Sequence, residues 1–166
     1  MWVGAIAAIQ LGDASEVFLA TLMDVYTRAV RGWDLRRDLT HLLPLGALDK
    51  ALGRGCPEIH HTDQGVQYAT PKYTQSLRDR GVQLSMAAVG KAWENGPAER
   101  WIRTLREEEL SLTEYTDFAD AYRQIGKFIQ DVYHRRRMHS SLGYMTPREY
   151  EQMWREQQAK KSLSNC

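Results

Sequence analysis

His60-His61-Thr62-Asp63-Gln64-Gly65-Val66-Gln67-Tyr68 carries the strongest local signal in the chain. Glu58-Ile59-His60-His61 reads as a short strand, and Thr62-Asp63-Gln64-Gly65 reads as the turn that ends it. Asp63 therefore stands at a strand end. With 35 residues between them, Glu99 follows in Asn95-Gly96-Pro97-Ala98-Glu99. Asn95 is a favoured helix cap and Pro97 suits a first turn, so Glu99 falls in the first turn of a helix. Strand ends and helix starts bring side chains to the open edge of an α/β sheet, where ligands bind. Two carboxylates meeting there can share a hard divalent cation. Two such metals can clamp the attacking and leaving oxygens of a phosphoryl transfer. The pair also has a plain structural explanation, because helix first turns favour Glu and turns favour Asp.

The rest of the chain supplies the sheet. Trp2 to Leu11 is an apolar run, Gly12-Asp13 is a turn signal, and the apolar run resumes from Val17 to Tyr26. Arg28 to Leu35 reads as a third strand, which makes an antiparallel meander. Leucines 39, 42, 43, 45, 48 and 52 then recur at helical spacing around Pro44, and Gly53 and Gly55 end the run. Thr70-Pro71 opens a helix to about Arg80, and Val82 to Met86 is a further strand. Helices follow over 96–110 and 118–138, with Ala119, Tyr122, Ile125, Ile129, Val132 and Tyr133 along one side of the second. Thr146-Pro147-Arg148-Glu149 starts a last helix to about Gln158. The order predicts an α/β fold: a five-stranded mixed sheet, three antiparallel strands then two more, flanked by helices. The expected organisation is a core over 1–110 with a C-terminal helical extension of the same domain over 111–166.

Composition sets the outer bounds. The chain has 166 residues, 43% hydrophobic and 26% charged, which is ordinary for a soluble globular domain. Its 22 basic and 21 acidic residues give a net charge of +1, which excludes a uniformly basic DNA-coating protein but leaves room for local basic faces. Cys56 and Cys166 cannot by themselves form a disulfide framework or a zinc site. The Met1–Ile9 apolar run is shorter than the roughly 20 residues needed to span a bilayer, and it lacks the basic flank of a secretory signal. A cytoplasmic, bacterial-type protein without membrane association is expected.

Four ordered motifs carry a resemblance. His60 to Tyr68 resembles the H-S-D-x-G-x-Q-Y motif of insertion-sequence transposases with a retroviral-integrase-type core. Ser85-Met86, Gly90 and Trp93-Glu94-Asn95-Gly96-Pro97-Ala98-Glu99 resemble that family's S-M, G and W-D-N-x-x-x-E. The stretch Asp24-Val25-Tyr26-Thr27-Arg28-Ala29-Val30-Arg31-Gly32-Trp33 is similar to its D-x-x-S-R-x-I-x-G-W hairpin. His139-Ser140-Ser141-Leu142-Gly143-Tyr144-Met145-Thr146-Pro147 is similar to its C-terminal H-S-S-L-G-Y-x-T-P. The resemblance covers nearly the whole chain. It implies a ribonuclease-H-like fold and DNA cleavage and strand transfer (integration, transposition) by three carboxylates holding Mg²⁺ or Mn²⁺. It also implies a homo-oligomer acting on transposon ends and target DNA, with end recognition carried by an N-terminal segment or a partner chain.

One departure stands out. The family opens W-x-x-D-I-T-Y-I, and that Asp is the first catalytic carboxylate. Here the stretch is Trp2-Val3-Gly4-Ala5-Ile6-Ala7-Ala8-Ile9, so alanine occupies the Asp, Thr and Tyr positions. Ala5 cannot bind a metal, which leaves Asp63 and Glu99 as the catalytic and metal-binding pair and implies impaired activity. Asp24 is a weak substitute. If Ala5 pairs opposite Thr21, Asp24 faces the other side of the sheet. If it pairs opposite Leu22, Asp24 shares the face but lies about 7 Å along.

Basic residues supply candidate DNA contacts. Arg100, Arg103 and Arg106 recur every third position and are read as one face of the Glu99 helix, suited to phosphates or to pairing with Glu107, Glu108 and Glu109. Arg103, four residues beyond Glu99, can also simply neutralise it. Lys91 lies in the loop before that helix, and Arg135, Arg136 and Arg137 form the densest run. Gln64, Tyr68 and Asn95 are expected to shape the site. His60 and His61 are read as structural, because neighbouring strand residues point to opposite faces. The expected function is a transposase or integrase catalytic core with impaired activity. The rival is a non-catalytic DNA-binding or assembly module, a transposase remnant. A general ribonuclease-H-like nuclease is a weaker third option.

Overall fold

The computed structural model of the chain describes residues 1–63, 65–87 and 95–164. Its sheet has five strands: β1 (Trp2–Gln10), β2 (Glu16–Asp24), β3 (Val30–Arg36), β4 (Ile59–Thr62) and β5 (Gln83–Met86). Their order is β3-β2-β1-β4-β5, with β1–β2 and β2–β3 antiparallel and β1–β4 and β4–β5 parallel. The meander followed by two crossover strands is the mixed sheet that the sequence predicts. The helices are α1 (Leu42–Leu52), α2 (Pro71–Arg78), α3 (Gly96–Leu105), α4 (Phe118–Lys127) and α5 (Pro147–Ser164). Helix α3 runs on into a π-helical turn, Arg106–Leu110, and α4 into another, Phe128–Tyr133.

Strand alternation assigns each face of the sheet its own helices. Val3, Ala5 and Ile9 of β1 share a core with Trp101 and Leu105 of α3 and with Ile125, Ile129 and Tyr133 of the α4 segment. Trp2 of β1 and Leu22 of β2 pack on the other side against Leu45 and Leu48 of α1 and Tyr73 and Leu77 of α2. Helix α1 lies so close to β3 that a Cβ on Gly32 would overlap the Ala47 carbonyl and come within 2.7 Å of the Ala51 nitrogen. Only glycine fits there.

Three local expectations change. The buried stripe of α4 and its π-turn is Ala121, Ile125, Phe128, Ile129 and Tyr133, whereas Tyr122 remains 41% exposed beside Trp33 and Ala119 lies on the solvent side. The helical segment ends at Tyr133, short of residue 138, while α5 runs past Gln158 to Ser164. Its start is the reciprocal cap expected of Thr-x-x-Glu: the Glu149 N–H donates to Thr146 Oγ1 at 3.2 Å, and the Thr146 N–H donates to Glu149 Oε2 at 2.8 Å.

Between β2 and β3 the register shifts, so that Leu22 pairs with Gly32 and Met23 with Val30. Arg31 is the extra residue of this bulge, and a bulge re-aims its side chain. The guanidinium meets Asp24 at 3.0 Å and Glu151 of α5 at 2.5 Å, which ties α5 to the hairpin.

Candidate active-site cleft

A cleft of about 580 Å³ opens between β1, the end of β4 and α3. Ala5, Asp63, Asn95, Glu99, Arg103 and Arg106 are among its lining residues. Each wall follows from local sequence. Ala5 is in the interior of β1 and is 9% exposed. Asp63 follows the last residue of β4, where its carboxylate accepts the Gly65 N–H at 3.1 Å. Glu99 lies in the first turn of α3, and Arg103 and Arg106 follow it at i+4 and i+7 on the same helical face. Three carboxylates, of Asp63, Glu99 and Glu107, and two guanidiniums thus share one cleft with the Ala5 methyl.

The tie between α3 and the sheet is a side chain that the sequence presents as a cap. Asn95 makes no side-chain cap bond. Its Nδ2 instead donates to the Gly4 carbonyl oxygen at 3.2 Å, while Oδ1 is buried with no partner among the described residues. A second tie, invisible in the sequence, is the Trp101 indole N–H, which donates to Thr21 Oγ1 at 2.8 Å in the core.

Several candidates lie elsewhere. The β1–β2 register pairs Ala5 with Thr21 and Trp2 with Asp24, so Asp24 faces the opposite side of the sheet from Ala5. Its carboxylate is engaged by Arg31 and by the Tyr26 N–H at 2.9 Å. Tyr68 is 2% exposed and does not line the cleft; it packs under β1 against Gly4 and edge-on to Tyr73. Burial pushes its hydroxyl far above the ordinary phenol range, with Asp63 adding to the shift.

Arg100 parts from Arg103 and Arg106. At about 100° per residue a spacing of three drifts by about 60° each step, so the three do not share a face. Arg100 lines a different groove, together with Arg137. Arg137 is held by Glu108 through Nε at 2.8 Å. Arg135 lies 3.6 Å from Asp131 and lines a third groove, and Arg136 is exposed. Gln64 and Lys91 lie outside the described residues.

His60 and His61 do diverge. His60 Nε2 meets the Tyr73 hydroxyl at 2.8 Å, and His61 Nδ1 meets Ser85 Oγ at 2.9 Å. Burial, with His61 adding to it, lowers His60 to about 4. Among the described residues, no group of three His, Cys, Asp or Glu side chains is arranged to hold a metal ion.

A model described as Integrase core domain matches residues 1–92, and a second of the same description matches residues 80–147. The chain belongs to the integrase core domain family. It is 32% identical over 154 residues to the transposase for insertion sequence element IS904 of Lactococcus lactis, covering 91% of this chain and 60% of that protein. It is 29% identical over 153 residues to transposase InsF for insertion sequence IS3A of Escherichia coli, covering 90% and 53%. The chain therefore spans little more than half the length of these transposases.

Among solved structures, the catalytic core domain of HTLV-2 integrase in complex with magnesium, in its trimeric form, matches with a TM-score of 0.68 at 16% identity, covering 90% of this chain and 93% of that one. The catalytic core domain of BIV integrase matches at 0.63 and 13% identity, covering 96% and 97%. The fold is ribonuclease-H-like, of the insertion-sequence transposase and retroviral integrase type. No helix among the described residues is long and apolar enough to cross a membrane.

Proposed function

We propose that this chain is the catalytic-core portion of a DNA transposase in which cleavage and strand transfer are impaired by the alanine at position 5. The observation that carries the reading is the shared cleft of Ala5, Asp63 and Glu99, with Arg103 and Arg106 beside them. The acids and arginines suit a phosphodiester and its counter-charge, and the relatives named as transposases support DNA as the substrate. Homo-oligomerisation belongs to the same reading, in line with the dimeric and trimeric forms described for the HTLV-2 core.

The donor set does not fit a two-metal site. Hard divalent cations take several oxygen ligands, and a paired site needs a carboxylate able to serve both ions. At Ala5 the chain offers a methyl group where the third carboxylate is needed, and although Glu107 also lines the cleft, no three acids among the described residues are grouped to hold a metal ion. No catalytic step through Mg²⁺ or Mn²⁺ is therefore assigned to the chain as it stands. What remains to it is binding and charge neutralisation of the DNA backbone by Arg103 and Arg106.

The test is restoration. Ala5→Asp, alone and with Ala7→Thr and Ala8→Tyr, is assayed for Mg²⁺- or Mn²⁺-dependent cleavage of pre-formed DNA substrates. The chain as given is expected to stay at the level of a Glu99→Gln control, and the restored chain to rise above it. Cleavage by the unrestored chain that Glu99→Gln abolishes would overturn the impairment. A restored chain that is folded, binds DNA and remains inert would overturn the assignment of the three positions.

A further inference from the structure

The transposase-like hairpin over 24–33 and the C-terminal H-S-S-L-G-Y stretch contribute nothing to the acid cleft. They meet on the other side of α3. A groove of about 340 Å³ there is lined by Arg28 from the hairpin, Arg100 from α3, and Arg137, His139 and Tyr144 from the C-terminal segment. Three guanidiniums line it, and no carboxylate does among the described residues. Glu108 engages Arg137 from outside through Nε, which leaves that side chain's terminal nitrogens toward His139, 3.4 Å from Nδ1.

Two backbone outliers converge on this groove. Arg28 has φ 61° and Tyr144 has φ 62°, and they are two of the three non-glycine residues with positive φ among the described residues. A bulky side chain in the left-handed region is strained, and such residues cluster where a ligand is held. Tyr144 gains no core packing in return, since it is 72% exposed. The turn beneath it is tightly bonded, with the Tyr144 N–H donating to the His139 carbonyl at 2.9 Å and the His139 N–H donating to that of Met145 at 3.0 Å. The turn thus holds an aromatic ring in solvent, beside arginines, at a cost in backbone strain.

His139 adds a polar contact. Burial, then Arg137 and Arg28, lower it to about 4, so the ring is neutral at pH 7. With Nδ1 accepting from Arg137, its proton is on Nε2, a buried atom without a hydrogen-bond partner among the described residues. An exposed aromatic ring beside a cationic groove is the arrangement that takes single-stranded nucleic acid: the ring stacks a base and the cations follow the phosphates. Within a duplex a base is stacked on its neighbours and its face is closed to a side chain. We propose that this groove binds an unpaired nucleotide of single-stranded DNA, with Tyr144 stacking the base and Arg28, Arg100 and Arg137 holding the backbone phosphates. That the strand is DNA rests on the proposed function; the choice of an unpaired strand rests on the groove.

The experiment is fluorescence anisotropy of the full chain with a labelled oligothymidylate, against a duplex of the same length. Tighter binding of the single strand is expected, and Tyr144→Ala should weaken it by about 5- to 150-fold, the range for loss of one stacked base. Tyr144→Phe keeps the ring and should retain the affinity. Tyr144→Gly removes the ring and relieves the positive φ, so it should unfold at a higher temperature than the wild type while losing the single strand to a similar degree. Tyr144→Ala should leave binding of the duplex as in the wild type, which separates this groove from the acid cleft. Preference for duplex, or undiminished binding by the folded Tyr144→Gly variant, would overturn the proposal.

Discussion

Replacing Thr21 by Val should loosen α3 from the sheet without changing a single surface residue. Thr21 is 1% exposed, and its Oγ1 is the acceptor for the Trp101 indole N–H at 2.8 Å. Valine keeps the branched shape but leaves that N–H buried and unpaired. An unsatisfied buried donor costs about 1–3 kcal/mol. The extra methyl, buried in the same place, returns about 0.8 kcal/mol at most. A net loss of about 0.2–2 kcal/mol follows. With a urea m-value of about 2 kcal/mol/M, the midpoint should fall by about 0.1–1 M with m unchanged. Equilibrium urea unfolding followed by tryptophan fluorescence and by far-UV circular dichroism checks the magnitude and the coincidence of the two probes. A cycle with Trp101→Phe separates the bond from the cavity: once the donor is gone, Thr21→Val should cost nothing further and a coupling of about 1 kcal/mol should appear. A Thr21→Val variant as stable as the wild type would refute the account of how the helix carrying Glu99 is fixed.

Two further outcomes are expected. Burial lowers His60 to about 4, and it does the same to His134, with Arg54 and Arg31 adding to the effect. Both lie below the roughly 6.5 of an unfolded histidine. The unfolded chain therefore binds extra protons between those values. The stability due to these neutral rings is complete above pH ~6.5 and lost as pH falls toward 4, at about 1.4 kcal/mol per pH unit for each histidine. Urea midpoints at pH 7, 6 and 5 should fall in that order, and a flat profile would contradict burial of the neutral rings. Arg103→Ala with Arg106→Ala should reduce the slope of log K against log salt for duplex binding by about 1.8, the loss of two phosphate contacts. An unchanged slope in a filter-binding titration would remove the acid cleft from the DNA path.

The elements were legible wherever a strong local rule operates. Apolar runs and turn residues mark the meander from Trp2 to Arg36, and Thr146 with Glu149 announces the start of α5 through the cap it forms. Asp63 and Glu99 could be placed at a strand end and a helix start because Gly65 and Pro97 punctuate the chain beside them. What the sequence hides is orientation. Asn95 has the composition of a cap, but its amide reaches Gly4, a partner 91 residues away that no local rule can reveal. Arg100, Arg103 and Arg106 look equivalent at a spacing of three, and only the drift of a 3.6-residue helix divides them between two grooves. Asp24 could be settled only by the β1–β2 register, which is fixed by the burial of a whole face and not by Asp24 itself.

The order of the strands in the sheet has a kinetic consequence. β1, β2 and β3 are joined by short turns and can pair as soon as they are adjacent in the chain, with little loop-closure cost. β1 must also accept β4 on its other edge, and the Gly4 carbonyl must wait for Asn95. Contacts of such separation form late and slow folding. During synthesis the meander therefore emerges with one edge of β1 unpaired, and that edge is open to wrong partners until β4 arrives. The cleft is the last part of the sheet to acquire its walls. A ribosome paused before α3 would hold a nascent chain with most of its strands assembled and no acid cleft.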